Sequence, residues 1–324
     1  MLSAELARCG RVAMETCMGV KPGEQVLIVA DTLADERVSE ALLGAARAGN
    51  AEAMLMVFPA RPRGGMEPPA AVAAAMQQAD AVFLHTSASL THSQARIAAQ
   101  QAGARVISMP GVNGDTFLRT MSADMAKVAD LTRRLSALID QAQVARLTSP
   151  LGTDLTLELG NPTLVLDGIC HERGELDTFP AGLPLSVPRA GGVYGRAVVD
   201  GSITSIGRLS APVTLHFEAG RAVKIEGGPE ADRLSQLLAQ FNDPTVYSFA
   251  AWGMGANPGA RLLGDEPSFE GERIYGWAHV SLGSNAALPG GTVRAPIHLD
   301  AIIAFPVVEL DGRVVMRNGQ FQVS

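Results

Sequence analysis

Cysteine is scarce in this 324-residue chain: Cys9, Cys17 and Cys170 are the only three, and no two share a CxxC spacing. An odd count without that spacing excludes a disulfide framework and a zinc knuckle. Cys9 and Cys17 lie in an Ala/Met-rich amphipathic opening and read as core thiols. Basic charge is also short, with 26 lysines and arginines against 33 acids and a formal net charge of -7. No basic, aromatic-interleaved stripe appears, so nucleic acid is not an expected partner. No apolar run approaches the ~18 residues of a membrane span, so no membrane partner is expected. The opening residues include Glu5, Arg8 and Arg11 and no sustained apolar segment, which reads as no signal peptide and a cytoplasmic location. What remains is an ordinary globular composition, 47% hydrophobic and 18% charged, long enough for two domains or one large one.

The first ~145 residues alternate short apolar runs with helical periods. Strands are expected at residues 24–31, 51–59, 80–86 and 104–110. Helices are expected over about 34–48, 69–78, 92–102 and, as one long element, from Asp115 to Ala142. Four such alternations indicate an α/β domain with a mostly parallel sheet covered on both faces. No GxGxxG or GxxxxGK follows the first strand, so this domain carries no nucleotide signature. Near residue 146 the pattern changes to short strands punctuated by Gly, Pro and Asp-Gly turns. Hairpins are expected across Gly220 and across Asp311-Gly312, with one helix at about 229–241. The expected organisation is an α/β domain at 1–145 and a β-rich α+β domain at 146–324.

Of the six histidines, His216 alternates with apolar neighbours in a hairpin strand and reads as structural. His171 reads as solvated in a charged loop. His85 ends the third strand, at the edge where open parallel sheets bind ligands, but a single histidine there is weak evidence. His92 lies at the loop-to-helix junction just beyond, where polar and functional roles stand level.

The last fifth of the chain is different. In a strand, residues i and i+2 share a face, so His298 and Asp300 of PIHLDAII project together. Apolar flanks imply burial of Asp300, and a buried carboxylate needs a partner. His279, in WAHVSL, is the third member by its strand context. Two imidazoles and a carboxylate are the smallest set that holds one divalent metal with positions left open. The structural alternative is a His–Asp hydrogen bond without metal. Trp252 to Gly259 (WGMGANPG) reads as neither regular helix nor strand, a place where backbone passes close to another group. The run Leu288-Pro289-Gly290-Gly291-Thr292 would join the two histidine-bearing strands.

These residues resemble the aminopeptidase T and 2,5-dihydroxypyridine 5,6-dioxygenase superfamily across most of the chain. THSQAR with GARVISMPG is similar to its N-terminal domain. FNDPTVY, WGMGANPGA, HVSLGSN and PIHLD, in that order, are similar to its C-terminal domain. The resemblance implies an enzyme with a small-molecule substrate, and a homo-oligomer, often a homodimer. The peptidase branch holds two metals with glutamates that would fall at Gly192 and Ala251; both are missing here. The dioxygenase branch binds one Fe(II) through His-x-Asp, matching His298 and Asp300. Its further histidine ligand would fall at Ala251, so His279 would have to supply the third position. Its base lies in a His-Ser pair matching His92-Ser93, and a histidine titrates near working pH.

The expectation is therefore a mononuclear metalloenzyme. Its metal would be Fe(II) on His279, His298 and Asp300, cleaving a small hydroxylated N-heteroaromatic ring with His92 as base. The alternative is a Zn or Mn hydrolase of amide or cyclic amide bonds on the same ligands. A metal-free binding protein is a third possibility.

Overall fold

The computed structural model describes residues 2–262 and 270–323. It comprises two compact units, Met1–Ala129 with Leu166–Ala181, and Asp130–Val165 with Gly182–Ser324. The second stretch of the first unit is thus contributed by a return of the chain. Among the described residues no helix is long and apolar enough to cross a membrane.

The first unit is built on five parallel strands: β1 (Gln25–Asp31), β2 (Glu52–Phe58), β3 (Ala81–His85), β4 (Arg105–Ser108) and β5 (Leu176–Thr178), ordered β2-β1-β3-β4-β5. Alternate residues feed opposite layers. Val26, Ile28, Phe83 and Ile107 pack on one side with Val38, Leu42 and Phe117. Leu27, Val29, Val82, Leu84 and Val106 pack on the other with Val72, Met76 and Ala99. Burial on both faces is why these strands read as unbroken apolar runs. Cys9, Cys17 and Cys170 are all buried. Burial pushes the Cys17 thiol well up and that of Cys170 to about 12, so both stay protonated and unreactive at neutral pH.

The helical stretch expected from Asp115 to Ala142 is two helices, Gly114–Met121 and Met125–Gln141. The break is chemical. Asp124 accepts the backbone N–H of Lys127 at 3.2 Å, and short polar side chains satisfy the open N–H groups of a new helix start. Apolar periodicity continues in phase across the gap, which hides it from a pattern reading.

A second cap ties two helices together. Asp35 precedes the helix Glu36–Ala48 and accepts the Arg37 N–H at 3.2 Å and the Gly114 N–H at 2.8 Å. The Arg37 guanidinium adds two bonds, at 2.9 and 2.6 Å. Those Arg37 bonds, with the backbone donors, hold the Asp35 carboxyl at about 2 against the burial that opposes them. A carboxyl lowered by folding stabilises the fold above its unfolded value of about 4, and that contribution fades as pH falls toward 2. Asp35→Ala is therefore expected to cost about 1 kcal/mol at pH 7. The gap to wild type should narrow in denaturant titrations below pH 4. A gap that stays constant with pH would show that the charge contributes nothing.

The second unit contains an eight-stranded and a seven-stranded sheet. The central strands of the latter are β6 (Leu183–Ser186), β7 (Phe249–Met254), β8 (Ala278–Gly283) and β9 (His298–Ile303), adjacent in that order and antiparallel. The expected hairpins are present. Ala219 (φ 46) and Gly220 (φ 75) turn one, and Asp311 (φ 48) and Gly312 (φ 81) the other. Two successive left-handed residues match the twist of paired strands. The helix Pro229–Gln240 sends Ala231, Leu234 and Leu238 into the core that the two sheets share.

Candidate metal centre

Strand alternation builds this site. Trp252 and Met254 of β7, Ala278, Val280 and Leu282 of β8, and Leu299, Ala301 and Ile303 of β9 all join the apolar core. The intervening residues face the other way, and the register places them side by side. Gly253 pairs with His279 and His279 with Ile302, while Ser281 pairs with Asp300 and Gly283 with His298. Burying one face therefore obliges the other to present His279, Ser281, His298 and Asp300 together.

The side chains converge on Asp300. Its Oδ1 accepts the Ser281 hydroxyl at 2.6 Å and lies 3.2 Å from His298 Nε2 and 3.9 Å from His279 Nε2. His298 also donates Nδ1–H to the Ser284 carbonyl at 2.6 Å. With a carbonyl oxygen facing one nitrogen and a carboxylate the other, the protonated ring is favoured wherever no cation takes the place of the proton. Burial opposes that charge, but Asp300 outweighs it and brings His298 to about 9. Burial likewise opposes ionisation of Asp300, and the charge and hydrogen bond of His298 overcome it to hold the carboxyl below its usual range.

His279 is the opposite case. Its ring has no solvent exposure, and neither nitrogen has a hydrogen-bond partner among the described residues. Burial depresses it to about 4, so it is neutral. An unpaired buried polar group costs on the order of 1–3 kcal/mol. A lone pair on this ring, directed beside a carboxylate, is what a divalent cation would use. The donor set therefore fits a metal ion.

Sequence reasoning missed one member. Glu272 lies on the single-turn helix Gly271–Arg273 and is 8% exposed. Burial raises its carboxyl to about 8 although Arg273 donates to it at 2.6 Å. Glu272, His279 and Asp300 each place a ligand atom within 4.8 Å of the others. Nothing in GERIYG signals this, because the residue comes from a turn and strand parity does not apply to it.

The glycine-rich run is partly strand, contrary to expectation, since β7 extends through Met254. Its glycines are there for space. A Cβ on Gly253 would lie 2.5 Å from the Pro184 carbonyl oxygen and 2.8 Å from His279 Cε1. Ala251, fully buried in β7, offers no ligand atom.

The remaining histidines are not members of this cluster. In the first unit His92 is exposed, and Ser93 is buried as the N-cap of the helix Gln94–Ala102, accepting the Arg96 N–H at 3.2 Å. His85 is closed by Ser39 at 2.8 Å and the Val112 carbonyl at 2.7 Å. His171 bonds the Thr16 carbonyl at 3.0 Å, and in the second unit His216 pairs with Glu226.

Fold and cluster together define a protein with an α/β unit and a strand-rich unit that carries a His–carboxylate centre suited to a divalent cation. Residues 5–323 match the 2,5-dihydroxypyridine 5,6-dioxygenase (NicX) family, and the chain belongs to it. It is 29% identical over 216 residues to the 2,5-dihydroxypyridine 5,6-dioxygenase of Pseudomonas putida KT2440, spanning 61% of this chain and 60% of that protein. Among solved structures, the 2,5-dihydroxypyridine dioxygenase of the same organism superposes with a TM-score of 0.85 at 24% identity, covering 98% of this chain and 97% of that one. AmpT from Thermus thermophilus superposes at 0.69 with 16% identity, covering both chains in full. These two likenesses are of fold.

Proposed function

We propose that the protein is a metal-dependent ring-cleaving dioxygenase acting on a small hydroxylated N-heteroaromatic of the 2,5-dihydroxypyridine type, with Fe(II) as its metal. Family membership over nearly the whole chain supports the reaction class. The observation that carries the metal is His279, buried with no hydrogen-bond partner among the described residues and with its Nε2 3.9 Å from Asp300 Oδ1. His279 and Asp300 hold the ion, with His298 or Glu272 completing the set. The bound ion would bring the ring hydroxyl and dioxygen together, so that both oxygen atoms enter the product as a ring carbon–carbon bond breaks.

The chain's own side chains have separable tasks. Ser281 and His298 fix the Asp300 carboxylate by bonds of 2.6 and 3.2 Å. His92 takes the proton of the substrate hydroxyl, and Ser93 sets its turn by capping the helix that follows.

Oxygen uptake with 2,5-dihydroxypyridine tests the reading. One O2 consumed per ring opened is expected, with no turnover under anaerobic conditions. His92→Ala should retain the metal and lose at least ~100-fold in turnover. Turnover that persists without oxygen would overturn the dioxygenase and leave the hydrolase of amide or cyclic amide bonds.

A further inference from the structure

We propose that the outer edge of β2 is an interface for a second copy of this chain, the two edges pairing antiparallel about a two-fold axis at Leu55. The parallel sheet of the first unit ends at β2, and among the described residues no strand pairs with its far side.

The bonds on the inner side of β2 fix what the outer side offers. The Glu52 N–H donates to the Glu24 carbonyl at 2.9 Å, and the Phe58 carbonyl accepts the Thr32 N–H at 3.0 Å. Successive residues of a strand turn their peptide groups to opposite sides, so Ala53, Leu55 and Val57 direct theirs outward. Such an edge is a template for another strand, and proteins ordinarily guard it with lysine, proline, a bulge or a covering segment. Residues 53–58 (AMLMVF) carry no charge and no proline, and their register with β1 runs without a bulge. The apolar side chains are open as well. Met54 is 49% and Val57 58% exposed, and Leu33, beside the end of β2, is 74% exposed.

A second copy answers this edge better than a foreign strand does, because the edge is complementary to itself. In an antiparallel ladder, the two residues of a hydrogen-bonded pair exchange both bonds. Centring the contact on Leu55 uses every outward group of the strand. Leu55 meets the partner's Leu55, and Ala53 meets the partner's Val57. On the other face Met54 meets the partner's Met56, an apolar cross-strand pair. The ends match by charge. Glu52 falls opposite the partner's Phe58, and the Arg61 guanidinium lies 5.5 Å from the centroid of the Phe58 ring. Each end of the junction therefore brings a carboxylate beside a guanidinium. Parallel pairing in register would instead set Glu52 against the partner's Glu52, a like-charge contact. The antiparallel contact is isologous and closed by its two-fold axis, so it joins two sheets into one and leaves no open β2 edge.

Analytical ultracentrifugation of the full chain tests this. Wild type should sediment as an even number of copies. Val57→Lys places a guarding charge on a mostly exposed side chain and should sediment as half that number, with an unchanged circular dichroism spectrum. An odd number in wild type, or an unaltered mass in folded Val57→Lys, would overturn the proposal. Should Val57→Lys fail to fold, Leu55→Cys decides instead. Residues of a hydrogen-bonded antiparallel pair lie about 5.5 Å apart between Cα atoms, inside the range a disulfide spans. The three native cysteines are buried, so mild oxidation should link Leu55→Cys into covalent dimers on denaturing gels. Val223→Cys, at a position 50% exposed in the second unit, should stay single. No dimer from Leu55→Cys, or as much from Val223→Cys, refutes the interface.

Discussion

Asp300→Asn is expected to leave the purified protein without stoichiometric metal and with less than ~1% of wild-type turnover. The carboxylate is the hub of the cluster. Ser281, His298 and His279 all lie within 3.9 Å of its Oδ1, and the proposed metal centre includes it whichever residue completes the set. Asparagine keeps the shape and one acceptor oxygen, so the sheet should survive while the negative charge is lost. Since even an outer partner of a ligand is worth 10–100-fold in metal affinity, direct loss of an anionic ligand should cost more. Metal analysis of freshly purified variant, alongside circular dichroism to verify folding, measures this. A folded Asp300→Asn protein with a full complement of metal would remove the foundation of the site.

Gly253→Ala should be nearly as damaging, for a purely steric reason. The added methyl would meet the Pro184 carbonyl oxygen at 2.5 Å, His279 Cε1 at 2.8 Å and Leu183 Cδ1 at 2.9 Å. The first is backbone and cannot rotate aside, so β6 must move or the His279 ring must tilt. Overpacking of this kind costs about 1–3 kcal/mol. Displacing a ligand ring should also lower metal affinity by at least ~10-fold, in the range seen when a ligand's orientation is lost. Gly44→Ala is the control. It lies in the helix Glu36–Ala48 with nothing within 4 Å of the new methyl, and should stabilise by about 0.5–1 kcal/mol. Thermal melts and Mn(II) titrations of both variants give the comparison. A Gly253→Ala protein as stable and as tightly metal-binding as wild type would show that the contact yields.

The parts legible in the sequence were those governed by period. β1 and β3 announce themselves because both faces are buried, and His298 and Asp300 because two-residue spacing puts them on one side of β9. The Gly220 and Asp311-Gly312 hairpins were readable from turn chemistry alone. The break at Asp124 was not, since the apolar phase runs through it and only a cap marks it. Glu272 was hidden for a different reason. It reaches the cluster from a single turn whose Arg273 carbonyl is met by the Asn257 N–H and closely approached by Gly255, and no spacing in the chain encodes a contact between a turn and a strand face. The glycines of that segment were visible as a departure from regular structure, but what they approach is apparent only in three dimensions.

β8 is the middle strand of the seven-stranded sheet. It is hydrogen-bonded on both sides, by β7 and β9, and its Ala278, Val280 and Leu282 are locked into the core while His279 faces the cluster. The cradle is thus cut from the same strands that hold the unit together, so a substitution at His279 acts on the sheet as well as on the cluster.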